Sequence, residues 1–133
     1  MNKNLLTIAV SLLICAITTN LTAKAVSGES NGPAAAIKSF YAAMAKSDFN
    51  SAKKYVVANE MKQLIAFLEK MTKEVPSLKE DTKKDFAPLA NAKIISEKIT
   101  GDKAVVKYTY TKGKKTETET LNLQKVKGCW QII

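Results

Sequence analysis

Few side chains in this sequence belong to the types that usually do chemistry. The chain has 133 residues and no histidine, and all 21 of its basic residues are lysine. The absence of imidazole and guanidinium excludes Ser-His-Asp and Cys-His nucleophiles, histidine-ligated zinc and arginine forks on phosphate. The chain also carries two thiols, those of Cys15 and Cys129. The most common catalytic sets are therefore ruled out.

The sequence also predicts no bound metal and no cofactor. Glu80, Asp81 and Asp85 lack the alternating spacing of oxygen ligands in a calcium loop. The five glycines are too scattered to form a phosphate-binding loop.

The N-terminus has the pattern of an export signal. Lys3 gives it a positive start, and residues 5–17 form an apolar run that is too short to cross a bilayer. Small residues then lead to Ala25, after which we expect cleavage and a periplasmic or secreted location. A retained membrane anchor is one alternative. A lipoprotein signal that uses Cys15 is another, and the bulky Ile14 before that cysteine disfavours it.

The remaining chain divides into a tether, residues 26–32, and a single α+β domain, residues 33–133. After cleavage Cys129 is the only cysteine, so no intramolecular disulfide can form. Its neighbours Trp130 and Ile132 are apolar, which favours a buried thiol.

The first half of the domain has helical periodicity. Pro33 suits the start of a first helix that ends near Lys46, and Ser47 and Asp48 suit the cap of a second, shorter one. The apolar residues of the first helix are Ile37, Phe40, Tyr41 and Met44.

A third helix is expected to begin near Asn59, which is a good cap, and to end before Pro76. Its apolar stripe contains Met61, Leu64, Ile65, Leu68 and Met71. Residues 77–88 hold many charges and only Leu78 and Phe86 as large apolar anchors. They predict an exposed connector, with partial helix as an alternative.

From Ala92 onward β-branched residues and turn signals predict four strands. In the second strand Ala104, Val106, Tyr108 and Tyr110 alternate with more polar residues, which is typical of a sheet with one buried face. The Thr and Glu residues from Thr116 onward predict that the first half of the third strand is solvated or lies at an edge. Short turns require an antiparallel meander, and helices that precede strands indicate the α+β class.

Several segments resemble one family of small exported bacterial domains. Residues 33–41, 46–49 and 52–56 resemble its first two helices, and residues 101–106 and 126–132 resemble its strands. This family is the uncharacterised, lumazine-binding-like branch of the nuclear transport factor two-like superfamily. The resemblance implies N-terminal helices on a curved four-stranded antiparallel sheet, a cone-like or cystatin-like fold with an apolar mouth. It brings no established catalytic residues, so none can be transferred.

The resemblance also implies one chemistry, because some enzymes on this fold use a carboxylate base with a tyrosine donor. Such a base needs burial to raise its pKa and a tyrosine within reach of the same substrate oxygen. Asp48 is better explained as a helix cap, Asp85 as a solvated side chain and Asp102 as part of a turn. The sequence therefore predicts no catalytic residue.

Aromatic side chains are the candidates for the wall of a ligand pocket in the cone, since a tyrosine offers an apolar ring and a polar tip. Ordinary core packing explains the same periodicity equally well. The candidates are Phe40, Tyr41, Tyr55, Phe67, Tyr108, Tyr110 and Trp130.

The lysines are spread along the whole chain and interleaved with glutamate. This spacing favours a solvated surface, with weak contact to anionic envelope surfaces as a further possibility. Without arginine or a recognisable reading element, specific nucleic-acid binding is not expected.

These observations lead to one principal hypothesis and two alternatives. The first is an exported, non-enzymatic binding or interaction domain that takes a small apolar or aromatic ligand at the cone mouth. The second is a small isomerase- or cyclase-like enzyme with an acid and a tyrosine in the cone. The third is a structural envelope subunit that forms a homodimer through its sheet.

Overall fold

A computed structural model describes residues 32–133 of the chain. Helices α1 (Pro33–Ala45), α2 (Phe49–Lys53), α3 (Asn59–Glu74) and α4 (Leu78–Ala90) come first. Strands β1 (Lys93–Thr100), β2 (Lys103–Lys112), β3 (Lys115–Val126) and β4 (Cys129–Ile132) follow. This order confirms the α+β class. The expected signal peptide and most of the expected tether lie outside the described residues.

Helices α1 and α2 meet at a tight corner, as predicted. All four apolar residues of the expected α1 stripe are buried. Ser47 turns the chain with a positive φ of 58°, and the Asp48 carboxylate accepts a hydrogen bond from the Ser51 backbone at 3.2 Å. Hydrogen bonding to Ser51 lowers the pKa of Asp48. The capping role predicted for Asp48 is thus confirmed.

Helix α3 buries the centre of its predicted stripe, Ile65 and Leu68. The prediction that Asn59 caps it is wrong, because Ala58 holds the extended capping position and Asn59 is the first helical residue. Thr72 is also buried, and its hydroxyl donates to the Glu69 carbonyl at 2.9 Å. A threonine can therefore join an apolar stripe when its own helix accepts its proton.

The predicted exposed connector is instead helix α4. Leu78, Thr82, Phe86 and Leu89 are buried at spacings of one helical turn, so the segment has a complete inward stripe. Thr82 donates its hydroxyl to the Leu78 carbonyl at 2.7 Å, which satisfies it inside the core. The connector prediction was wrong because it counted only Leu78 and Phe86 as apolar anchors and did not include Thr82 and Leu89. The alternative of partial helix is closer to the structure.

The four strands form one antiparallel sheet in the order β1-β2-β3-β4, which confirms the predicted meander. Ala104, Val106 and Tyr108 of β2 are buried on the inner face, against the helices. Leu121 and Leu123 of β3 lie opposite Val106 and Ala104 and extend the same buried surface. The core therefore lies between this face and the helical layer.

Strand β4 is short, and it pairs with β3 over the last part of that strand, from Leu123 to Val126. The first half of β3 consequently has β2 on one side and no other described strand on the other, as its polar sequence predicted. On the far side of β4, Ile132 donates its N–H to the Tyr55 carbonyl at 2.7 Å and accepts one from Val57 at 2.9 Å. These bonds join the last strand to the chain that leaves α2.

The expectation of a buried Cys129 thiol is wrong, since Cys129 is exposed. Trp130 and Ile132 of the same strand are buried. Side chains alternate between the two faces of a strand, so the residue adjacent to a buried one points away from the core. Among the described residues, no helix is long and apolar enough to cross a membrane, and no cluster of three potential metal ligands occurs.

The first prediction concerns α4. Replacing Phe86 by alanine should lower the free energy of unfolding by about 3–5 kcal/mol, because Phe86 is fully buried and the change leaves a cavity. Urea denaturation followed by circular dichroism measures this loss. Lys83→Ala, on the exposed side of the same helix, is the control and should change stability little. Equal effects of the two substitutions would contradict the packing role of α4.

A second prediction concerns the turn between β3 and β4, where Lys127 and Gly128 have positive φ values of 50° and 82°. A lysine is strained there, whereas asparagine tolerates this conformation. Lys127→Asn should therefore stabilise the domain by on the order of 0.5 kcal/mol, measured as a rise in melting temperature. Lys114→Asn, in a turn position without positive φ, should give no such rise.

Candidate functional site

A buried tyrosine pair connects the helical layer to the sheet. The hydroxyls of Tyr41 on α1 and Tyr108 on β2 are 3.0 Å apart and hydrogen-bonded. Burial raises the pKa of both tyrosines, so both stay protonated. One hydroxyl donates and the other accepts. The accepting hydroxyl still has its own proton, which it can donate to a further acceptor.

Other rings surround this pair. The Tyr41 ring centroid lies 5.1 Å from that of Phe40 and 6.2 Å from that of Phe86. Tyr110 continues the row along β2, with its ring 6.3 Å from Tyr108. Phe86 belongs to α4, so sequence reasoning could not include it while that segment was taken for a connector.

A carboxylate faces these tyrosines across the sheet. Glu119 of β3 pairs with Tyr108, and Glu117 pairs with Tyr110. The Glu119 side chain is half-buried, and no ion pair or side-chain hydrogen bond joins its carboxyl group to another described residue. Burial, and next the charge of Glu117, raise the pKa of Glu119. The site thus contains one acid whose charged form is disfavoured.

Sequence reasoning missed Glu119, although a signal for it exists. The turn at Gly113 pairs Lys112 with Lys115, and counting outward from that pair sets Tyr108 opposite Glu119. The alternation of Thr and Glu had been interpreted only as a sign of exposure. The strand register additionally identifies which of these Thr and Glu residues lie on the same face of the sheet as the tyrosines.

The aspartates named from the sequence have other partners. Asp48 caps α2, as described above. The prediction that Asp85 is solvated is wrong, because its side chain is only 17% exposed and forms an ion pair with Lys112 at 2.5 Å. Asp102 lies exposed in the turn between β1 and β2, where its carbonyl accepts from the Lys125 N–H at 2.7 Å.

An open groove lies between the C-terminal half of α4 and the end of β2. It has a volume of about 640 Å³. It forms because β1 begins at Lys93 opposite Thr109, so that the last residues of β2 extend beyond β1. The groove is lined by Lys84, Ala87, Pro88, Asn91, Lys93, Thr109, Tyr110 and Thr111. This lining combines an aromatic ring and small apolar groups with two lysines, and it contains no acid.

A second cavity, of about 230 Å³, lies at the corner between α1, α2 and α3. Asp48 and Glu69 lie in its wall beside Lys46, Lys73 and Lys79. Both carboxylates already have structural partners, Ser51 for the first and Lys53 and Lys73 for the second. Its size is below that of most small-molecule sites.

The seven pocket-wall candidates separate into two groups. Phe40, Tyr41 and Tyr108 have no accessible surface and belong to the core in this structure. Tyr110 lies beside them, is half-buried and lines the groove. Ligand binding by these residues stays a prediction.

The other three candidates lie apart from the groove. Tyr55 is half-buried near β4, where it serves the backbone bond to Ile132. Trp130 is largely buried, with the Lys125 amino group 5.7 Å from its ring. Phe67 is 43% exposed on α3.

Two solved structures are similar to this chain. One is an NTF2-like protein of unknown function from Shewanella oneidensis MR-1, with a TM-score of 0.45, 19% identity, and coverage of 74% of this chain and 88% of that one. The other is a proposed NTF2-like transpeptidase from Campylobacter jejuni, with a TM-score of 0.40, 14% identity, and coverage of 71% and 91%.

No curated protein matches this chain. Residues 25–133 match a family described as a domain of unknown function, DUF4878. This match includes the four helices and four strands that lie in the described part of the chain. The chain therefore belongs to the DUF4878 family of domains of unknown function, as the resemblance to an uncharacterised branch predicted.

Proposed function

We propose that this chain is an exported, non-enzymatic domain that binds a small molecule in the groove between α4 and β2. The groove itself is the observation that carries this proposal. Its volume of about 640 Å³ is in the usual range for small-molecule sites. Export is proposed from the signal-like N-terminus.

The lining of the groove defines the chemistry of the ligand. Tyr110 offers a ring, and Ala87 and Pro88 offer small apolar surfaces. Lys84 and Lys93 supply two positive charges with no acid among the lining residues. Such a site suits a small molecule with an aromatic or apolar part and an anionic group.

Binding is favoured over catalysis because the groove and the perturbed acid do not coincide. The lining contains no carboxylate, imidazole or thiol, so the acid that an acid–tyrosine mechanism needs is missing from it. Glu119 faces Tyr108 and does not line the groove.

A second candidate function, a small acid–tyrosine enzyme, rests on Glu119. A half-buried carboxyl of raised pKa opposite a tyrosine resembles the arrangement that proton abstraction requires. However, the Tyr108 hydroxyl is fully buried and already bonded to Tyr41, so it has no surface for a substrate. Catalysis by Glu119 and Tyr108 would therefore require the core to open. Ligand binding in the groove does not require this.

The third prediction tests the groove. Native mass spectrometry of the protein purified from its own cell envelope should show a small additional mass that is lost on denaturation. Lys84→Glu should weaken retention of that mass by about tenfold or more, because it reverses one of two charges that face the ligand. Lys83→Glu is the matched control, since Lys83 is exposed next in sequence and does not line the groove.

Anilinonaphthalene sulfonate provides a probe of the same chemistry, because it joins aromatic rings to an anionic sulfonate. Its fluorescence should rise with the wild-type and Lys83→Glu proteins and less with Lys84→Glu. A protein that carries no additional mass and binds the probe equally in both variants would refute the proposed site. Circular dichroism of each variant controls for loss of structure.

The fourth prediction concerns the pH dependence of stability. A carboxyl whose pKa is raised on folding destabilises the native state increasingly as pH rises through its titration. Glu119→Gln should therefore raise the melting temperature at about pH 7 and change it little at about pH 3.

Glu69→Gln supplies the control of opposite sign. Hydrogen bonds from Lys53 and then Lys73 lower the pKa of Glu69, so its charge stabilises the fold above its titration range. Its replacement should lower the melting temperature near neutral pH and lose this effect in acid. A Glu119→Gln variant that is less stable than wild type near neutral pH would show that the acid is not strained there.

A further inference from the structure

The outer face of the sheet, which points away from the helices, collects lysines that are scattered in the sequence. Lys103 and Lys107 of β2 alternate with the buried residues of that strand and are exposed. Lys98 pairs with Val105, and Lys93 pairs with Thr109, so both share this face. We call the exposed surface around Lys93, Lys98, Lys103 and Lys107 the basic face.

A β-bulge in β1 is needed to bring these lysines together. Lys93 and Lys98 are five positions apart, and in a regular strand an odd separation sends two side chains to opposite faces. The register shifts between Ile94 and Ser96, which inserts Ile95 as an extra residue. Lys93 therefore joins the outer face, while Ile94 remains opposite the buried Tyr108.

The acidic residues of the described strands lie on the other face. Glu97 pairs with Val106, Glu117 with Tyr110 and Glu119 with Tyr108, all inner-face partners. None of the four lysines of the basic face forms an ion pair within residues 32–133. Among the described residues, the basic face thus carries charge of one sign.

We propose that the basic face docks on the surface of an anionic lipid bilayer. Lysines near such a surface each contribute attraction to its negative potential. The partner is a membrane rather than a dissolved polyanion because the extra residue of the bulge, Ile95, is 52% exposed within this basic strand. An exposed aliphatic side chain among lysines suits the boundary between headgroups and acyl chains.

Two other partners fit this face less well. Single-stranded nucleic acid requires aromatic side chains for base stacking, and those of β2 lie on the inner face. A second copy that pairs face to face would bring lysines against lysines, which is repulsive. This charge pattern counts against the homodimer through the sheet.

The fifth prediction is tested by vesicle flotation with the protein as it accumulates in its own cells. Vesicles of equimolar phosphatidylglycerol and phosphatidylcholine should bind it, and vesicles of phosphatidylcholine alone should not. Replacing Lys98, Lys103 and Lys107 together by glutamine should lower partitioning by on the order of 100-fold. Lys93 is left unchanged because it also lines the groove, so a loss of membrane binding cannot be attributed to the groove.

A matched variant separates the position of the charges from their number. Lys38, Lys54 and Lys79 are exposed on or next to helices and form no ion pair in the described chain. Their joint replacement by glutamine removes the same net charge and should leave partitioning close to that of wild type. Ile95→Ser should weaken binding several-fold, whereas Phe67→Ser, which removes an exposed apolar side chain elsewhere, should not.

Four results would overturn the proposal. Equal losses in the two triple variants would mean that only net charge matters. Wild-type binding by both would place the contact elsewhere in the chain. Stronger binding to a soluble anionic polysaccharide or to DNA than to vesicles, or a stable dimer through this face, would assign it to another partner.

A measurement on the wild-type protein keeps the proposal falsifiable if a variant fails to fold. Lysine acetylation with and without the anionic vesicles, followed by peptide mass spectrometry, reports which amino groups the membrane covers. Lys98, Lys103 and Lys107 should be protected by the vesicles, while Lys38, Lys54 and Lys79 should react as before. Protection of the second set alone would contradict the proposed orientation.

Discussion

Strand β2 must bury one face along its length, and much of the structure follows from that constraint. Once Ala104, Val106 and Tyr108 point to the helices, Lys103 and Lys107 have to point to solvent. Because β2 is central to the meander, its pairings transmit the same alternation to β1 and β3. A slip by one residue would bring lysines into the core, so the register is strongly specified.

The hydrogen bond between Tyr41 and Tyr108 is the polar counterpart of this apolar constraint. Each hydroxyl is buried, and a buried hydroxyl without a partner costs free energy comparable to a lost hydrogen bond. The two hydroxyls can form their hydrogen bond only when α1 lies at one particular position along the length of β2. The pair therefore fixes the position of the helical layer on the sheet, a specificity that apolar contacts alone provide less well.

Sequence reasoning succeeded where the apolar residues of a helix or strand recur at a clear period. It failed where the burial of a polar side chain depends on a hydrogen-bond or ion-pair partner. The stripe of α1 and the alternation of β2 could be read directly, since each has several large apolar residues at regular spacing. Helix α4 could not, because the burial of Thr82 depends on a bond to the Leu78 carbonyl within the helix itself. Asp85 was misjudged for a related reason, since its partner Lys112 is distant in sequence and becomes adjacent only in the fold.

The same distinction explains the candidate site. That tyrosines gather on the inner face of the sheet was predictable from the alternation in β2, and Glu119 could have been found from the hairpin register. The groove was not predictable, because it depends on where β1 begins relative to the end of β2 and on a helix that was taken for a connector. Predicting the basic face would also have required knowledge of the bulge at Ile95, which no local sequence pattern indicates.

Lys93 joins the two proposed surfaces. It lines the groove and belongs to the basic face, so an anionic ligand in the groove and an anionic bilayer compete for the same charge. Occupancy of the groove would remove one of four attractive charges from the docking surface, and by linkage the bilayer would weaken ligand binding by the same factor. The direction of this coupling follows from the negative charge of both the proposed ligand and the bilayer.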